Sequence, residues 1–198
     1  MSKCASLCAA LLLLAVPGIG AAQQAGGWVV SGSVGQAWFS KAATGEGTDF
    51  GPSPGLAVNM GVTRRFARWE ASLTAETRPS VLRASDSVSV LQVSALDFGR
   101  TGLTLALGRT LSRTGAMAVV AGAGVRLDAW TLPEDERRWR AGAETHAALR
   151  FDAGAIVLEN RLTLGISGSP FVTADLPDGY RRTALTWMEL GVGVRVGL

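Results

Sequence analysis

His146 is the single histidine of this 198-residue chain, and Glu144 precedes it by two positions, on the same face of an extended strand. With a serine in contact, such a pair could activate a hydroxyl for acyl transfer. The sequence sets no nucleophile beside it, so the expectation is a chain that is not an enzyme, with His146 satisfied by a carboxylate. Metal chemistry has less support: one histidine, cysteines only at Cys4 and Cys8, and no carboxylate spacing of a metal loop. No metal or other cofactor is expected. Arginine offers a different chemistry. The run Glu134-Asp-Glu-Arg-Arg-Trp-Arg140, with Arg181-Arg182 further on, supplies Arg137, Arg138, Arg140, Arg181 and Arg182 together with Trp139. Guanidinium groups take phosphate oxygens in pairs, and Trp139 could anchor beside them. The competing expectation is a solvated loop with local salt bridges.

The compartment follows from the first 22 residues. Lys3 gives a positive start, Ala9 to Val16 an apolar run, and Gly20-Ala21-Ala22 a small-residue cleavage site, so 1–22 reads as a secretory signal peptide and 23–198 as one mature domain. Both cysteines fall in that leader, which leaves the mature chain without a disulfide, a thiolate site or a cysteine nucleophile. Cys8 precedes the apolar run, which argues against lipidation. Loss of Lys3 takes the formal charge from +3 to +2, and Lys41 is then the only lysine among the bases. Export and interspersed acids exclude nucleic acid as a partner. The 47% hydrophobic content suits a membrane, yet no stretch of the mature chain approaches the roughly 20 apolar residues of a spanning helix.

Strands remain, and the patterning supports them. Eight segments alternate with period 2: 28–39, 56–63, 67–77, 102–111, 116–128, 140–151, 155–166 and 184–198. Leu56, Val58, Met60 and Val62 share one face of the second; in the third, Trp69, Ala71, Leu73 and Ala75 oppose Glu70, Ser72, Thr74 and Glu76. A soluble barrel would turn the apolar faces inward, and a membrane barrel turns the charged ones inward. Trp28, Phe66, Trp69 and Phe151 at one set of strand ends, and Trp38, Trp130, Trp139 and Trp187 at the other, predict two interfacial girdles and decide for the membrane. Tight turns at 64–68, 112–115 and 152–154 alternate with long connections at 40–54, 78–100, 130–139 and 167–183, the rhythm of short periplasmic turns and long outer loops. Residues 88–93 also read as strand and are assigned to the second long loop, as an extension above the membrane. Asn160 points to lipid and has no account at this level.

The expected fold is thus all-β: an eight-stranded antiparallel transmembrane β-barrel, an up-and-down meander. Its lumen face collects Arg68, Glu70, Glu76, Arg126, Asp128, Glu144, His146, Arg150, Glu159, Arg161, Glu189 and Arg195, five arginines against six acids. Eight strands enclose little more than their own side chains, so the expectation is an ion-paired plug. A narrow channel for small solutes or ions is the alternative, and a soluble periplasmic lipocalin-like binder the second.

On the leader, the hairpin rhythm, Ala121-Gly-Ala-Gly-Val125 entering a long loop, and the closing strand Glu189-Leu-Gly-Val-Gly-Val-Arg-Val196, the chain resembles the OmpA-like family of small eight-stranded outer-membrane barrels. The resemblance implies a place in the outer membrane, a structural or surface-interaction role through the long loops, and delivery by the barrel-assembly machinery through the last strand; contact with outer-membrane lipid, lipopolysaccharide included, is the expectation for the arginines above, and the chain is expected to be a monomer. It ends on Leu198 where the family habit is an aromatic. The His-x-Ser pattern of small barrel lipid A deacylases is absent, since Ala147-Ala148-Leu149 follows His146.

Overall fold

A computed structural model describes residues 27–86, 88–132 and 136–198; the signal peptide expected at 1–22 lies outside the described residues. In chain order the strands are β1 (Trp28–Phe39), β2 (Ala43–Gly45), β3 (Thr48–Pro52), β4 (Gly55–Phe66), β5 (Trp69–Ser85), β6 (Val90–Thr114), β7 (Met117–Thr131), β8 (Arg137–Ala153), β9 (Ile156–Ser167), β10 (Arg181–Arg182) and β11 (Leu185–Gly197). β1, β4 to β9 and β11 each pair antiparallel with the next, and β1 closes on β11 from Val29↔Gly197 to Phe39↔Trp187. A closed ring of strands leaves no unpaired edge around the barrel wall, the condition a sheet must meet to be tolerated in hydrocarbon.

The period-2 pattern determines which face is in. Leu105 is 58% exposed and Val125 65%, whereas Asp128 is 0% and Arg195 2%. Apolar side chains clothe the outside and charges fill the inside, the reverse of a soluble lipocalin-like barrel. Asn160 faces outward in unbroken register opposite Val192 and Leu149.

Two-residue turns join β4–β5, β6–β7 and β8–β9, with Ala67, Gly115 and Gly154 at positive φ. At the other end the connections differ from expectation. Residues 78–100 are mostly strand: β5 runs to Ser85 and β6 begins at Val90, so within 88–93 residues 90–93 supply the start of a long β6, paired to β5 beyond the barrel wall. A register shift between Ser80 and Leu82 bends that ribbon. The connection 40–54 folds into the β2–β3 hairpin, with β3 against β5 and β10 against β2. Ala42, Ala43, Phe98, Trp130, Leu132, Phe171 and Leu185 form a buried apolar cluster there, with Phe39, Phe50, Leu82 and Leu176 against it. The loops thus carry a small core of their own over the barrel mouth.

Candidate functional site: a self-paired lumen under an aromatic cap

Inward parity on neighbouring strands brings charges of opposite sign within reach, and the lumen resolves into two clusters. In the outer cluster Glu76 on β5 takes Arg100 at 2.7 Å, Arg126 at 3.0 Å and Arg78 at 3.1 Å. Arg126 also reaches Asp128 at 2.5 Å and Glu144 at 3.2 Å, and Thr104 donates to Glu144 at 3.2 Å. Arg78 pairs with Glu189, whose other oxygen accepts from Asn59 at 2.9 Å. In the inner cluster Arg150 forks onto Glu70 at 2.6 and 2.8 Å and meets Glu159 at 2.6 Å. Arg195 bridges Glu159 at 2.9 Å and Glu70 at 3.3 Å, while Arg161 holds the second oxygen of Glu159 at 2.9 Å. A cavity of about 40 Å³, lined in part by Ser31, Ser33, Gly191 and Gly193, separates the clusters and has room for little beyond a few waters.

Arg78 and Arg100, which the sequence pattern left in a loop, belong to the network because β5 and β6 continue upward in the same parity. Arg68 does not belong: it lies exposed in the β4–β5 turn, where the chain has left strand geometry, and its carbonyl accepts from Thr110. With that exchange the ion-paired network of the lumen holds six arginines (78, 100, 126, 150, 161, 195) and six acids (70, 76, 128, 144, 159, 189), and half-buried Arg65, the register partner of Glu70, stands at its turn-side mouth outside the network. His146 is buried in the lumen, but its Nδ1 has no partner, so it is not the carboxylate-satisfied histidine expected. It packs over Gly122, where a Cβ would come within 2.6 Å of the ring. No serine hydroxyl donates to it among the described residues, and no group of three or more potential metal ligands occurs among them.

Aromatic rings close the outer end. Trp130 and Trp187 are buried, 0% and 3% exposed, and not in the outer girdle. Their parity with Arg126, Asp128 and Glu189 wins over their height on the strand, because a strand end still inside the ring must obey the alternation. Trp38 and Trp139 remain outside, as do Trp28, Phe66 and Trp69 at the other end. Arg100 lies 4.6 Å from the Trp187 ring, 5.3 Å from Phe39 and 5.6 Å from Trp130, and Arg126 lies 5.1 Å from Trp187. Stacked guanidinium against indole lets a charged cluster meet an apolar cap without an intervening wet layer.

The phosphate-contact residues divide. Arg138 is taken by Glu136 at 2.6 Å and by Asp175 at 2.9 Å, and Arg140 donates to the carbonyls of Ser169 and Trp139. Local pairing therefore claims these two. Arg137 and Trp139 on β8, and Arg181 and Arg182 on β10, are exposed or nearly so; Glu134 and Asp135 lie outside the described residues. The hydrogen bond from Arg138 holds the Asp175 carboxyl below its ordinary 3.8. A depressed carboxylate adds stability above its unfolded pKa, and that contribution is lost as pH falls through the folded value. Acidification below about 3.8 is therefore expected to loosen 168–183 while the barrel persists. The check is pepsin cleavage of that segment against pH, and Asp175→Asn should raise its cleavage by a neutral protease at pH 7. Equal resistance of variant and parent at neutral pH would refute it.

By fold, the chain is a small eight-stranded antiparallel β-barrel with an apolar outer face and a charge-filled interior. It is similar to the crystal structure of Neisserial surface protein A, with a TM-score of 0.62 and 12% identity over 89% of this chain and 100% of that one. It is similar also to the outer membrane protein OprG from Pseudomonas aeruginosa (TM-score 0.60, 12% identity, 88% and 97% covered) and to outer membrane protein AlkL in lipid bilayers (0.55, 14%, 92% and 95%). No family model matches the chain, and no curated relative does. At such identities the likeness establishes the eight-stranded barrel fold alone.

Proposed function

We propose that this chain is an exported, monomeric, non-enzymatic barrel of the outer membrane, with its two-residue turns toward the periplasm, a lumen that serves as a self-neutralised plug, and a folded outer cap that carries its interactions. The observation that carries the reading is the balance of six arginines and six acids in the lumen, cross-linked through buried pairs beneath Trp130 and Trp187. Such an interior resists ion passage, because an entering ion would have to displace short, desolvated pairs. Cap recognition, including lipopolysaccharide phosphates, falls to Arg137, Trp139, Arg181 and Arg182, since Arg138 and Arg140 are already engaged. β11, with its alternating Val192, Val194 and Val196, is the segment offered to the barrel-assembly machinery.

The test is planar-bilayer conductance of the refolded mature chain. Silence is expected in the parent, with leak on changing Glu144 and Glu159 together to Gln. Steady conductance in the parent would overturn the plug and make the lumen charges the filter of a narrow channel. A shift in gel mobility on boiling verifies insertion in each case; a chain folded without detergent would overturn the membrane reading itself.

A further inference from the structure

The lumen is neutral and the outer connections hold slightly more acids than bases, so the excess positive charge of the mature chain sits at the two-residue-turn end. The β4–β5 turn region has Arg64, Arg65 and Arg68, the β6–β7 region has Arg109 and Arg113, and the β8–β9 turn has Asp152 and no base. The patch is therefore one-sided. Arg113 is paired with Asp152 at 3.3 Å. Arg64 and Arg109 are exposed on the lipid-facing parity, and neither has a carboxylate within salt-bridge distance among the described residues.

Each of these two lies instead over the tryptophan opposite it in the ladder. Arg64 is the register partner of Trp28, its Cζ 5.3 Å from the ring centroid; Arg109 is the register partner of Trp69, at 5.5 Å. Phe66 stands between them as the partner of Trp69 on β4. A row Trp28, Arg64, Phe66, Trp69, Arg109 thus crosses four adjacent strands, β1, β4, β5 and β6. The rings are 49%, 45% and 47% exposed, open to the boundary between head groups and acyl chains. A guanidinium lying on an indole keeps its N–H edge free for a planar, bidentate phosphate contact.

We propose that this row is a binding site for the phosphodiester head group of an anionic phospholipid in the periplasm-facing leaflet, with Arg64 and Arg109 on the phosphate and the three rings against the glycerol and first methylenes. A free phosphate would use the arginines and leave the rings idle, so the lipid is the fitting occupant. The inference rests on the membrane orientation proposed above.

The test is quenching of tryptophan fluorescence in vesicles by dibrominated phosphatidylglycerol against dibrominated phosphatidylcholine, with the mobility shift on boiling recorded for every sample. The parent should prefer phosphatidylglycerol, and Arg64→Gln with Arg109→Gln should lose that preference by about fivefold per arginine. Lys41→Gln with Arg83→Gln, which removes two charges from the opposite end, should keep it. A boiling shift without preference in the parent, or equal loss in both double variants, overturns this inference and leaves the barrel intact. Loss of the parent's preference on adding millimolar inorganic phosphate at constant ionic strength would also overturn it, by putting a soluble anion in the site. Absence of the boiling shift overturns the barrel reading instead.

Discussion

Changing Glu76 to Gln should cost the barrel about 3–5 kcal/mol, the range for breaking a buried ion pair from one side. Glu76 is the carboxylate on which Arg78, Arg100 and Arg126 converge, and the three guanidinium groups are 0%, 0% and 3% exposed. Neutralising it leaves them with Asp128, Glu144 and Glu189, and with room for no more than a few waters to absorb the imbalance. Urea unfolding in vesicles, followed by tryptophan emission, measures the loss. Removing a base with the acid should recover much of it, so Glu76→Gln with Arg100→Met is expected to unfold at a higher urea concentration than Glu76→Gln alone. A single variant within about 1 kcal/mol of the parent, the range of an exposed pair, would show that water reaches the cluster.

The second large effect is steric. Gly165 on β9 is the register partner of Trp187 on β11, and the indole lies across it. A Cβ on Gly165 would sit 2.0 Å from Cζ2 of Trp187, so Gly165→Ala cannot coexist with the ring where it is. Moving the ring forfeits its stacking on Arg100 and Arg126 and opens the cap, for a combined cost on the order of 3 kcal/mol. The expected signs are a red shift of emission, an earlier thermal transition and conductance bursts in a bilayer. An unchanged emission spectrum would mean that Trp187 does not rest on this glycine.

How far these features were legible in the sequence depended on whether they obey a local rule. The eight strands were, because alternation such as Leu56, Val58, Met60, Val62 is written residue by residue. So were most lumen charges, since parity carries Glu70 and Glu76 inward without knowledge of any partner. Arg78 and Arg100 were missed because strands that run on beyond the barrel wall lose their apolar face: Arg78-Pro79-Ser80 and Phe98-Gly99-Arg100 look like loop, and only pairing between β5 and β6 keeps them extended. Trp130 and Trp187 were misplaced because two rules compete at a strand end, the interfacial preference of the indole and the alternation of the strand. Counting parity from Glu189 and Asp128 would have put both inside. For Arg138 the sequence left local pairing and phosphate contact both open, since its partner Asp175 lies in a distant loop that no spacing rule connects to it.

The seam between β1 and β11 has a consequence for the order in which the molecule is made. Residues at opposite ends of the chain meet there, Val29 with Gly197, so the cylinder cannot shut until the last strand has been delivered. Until then the precursor is an open ribbon with two hydrogen-bonding margins. β1 brings only Ser31, Ser33, Gly35 and Ala37 to the interior between its ends, while β4 to β9 bear most of the charged groups. β1 can therefore swing into place late, as a smooth latch, without threading a long side chain past arginines already locked together.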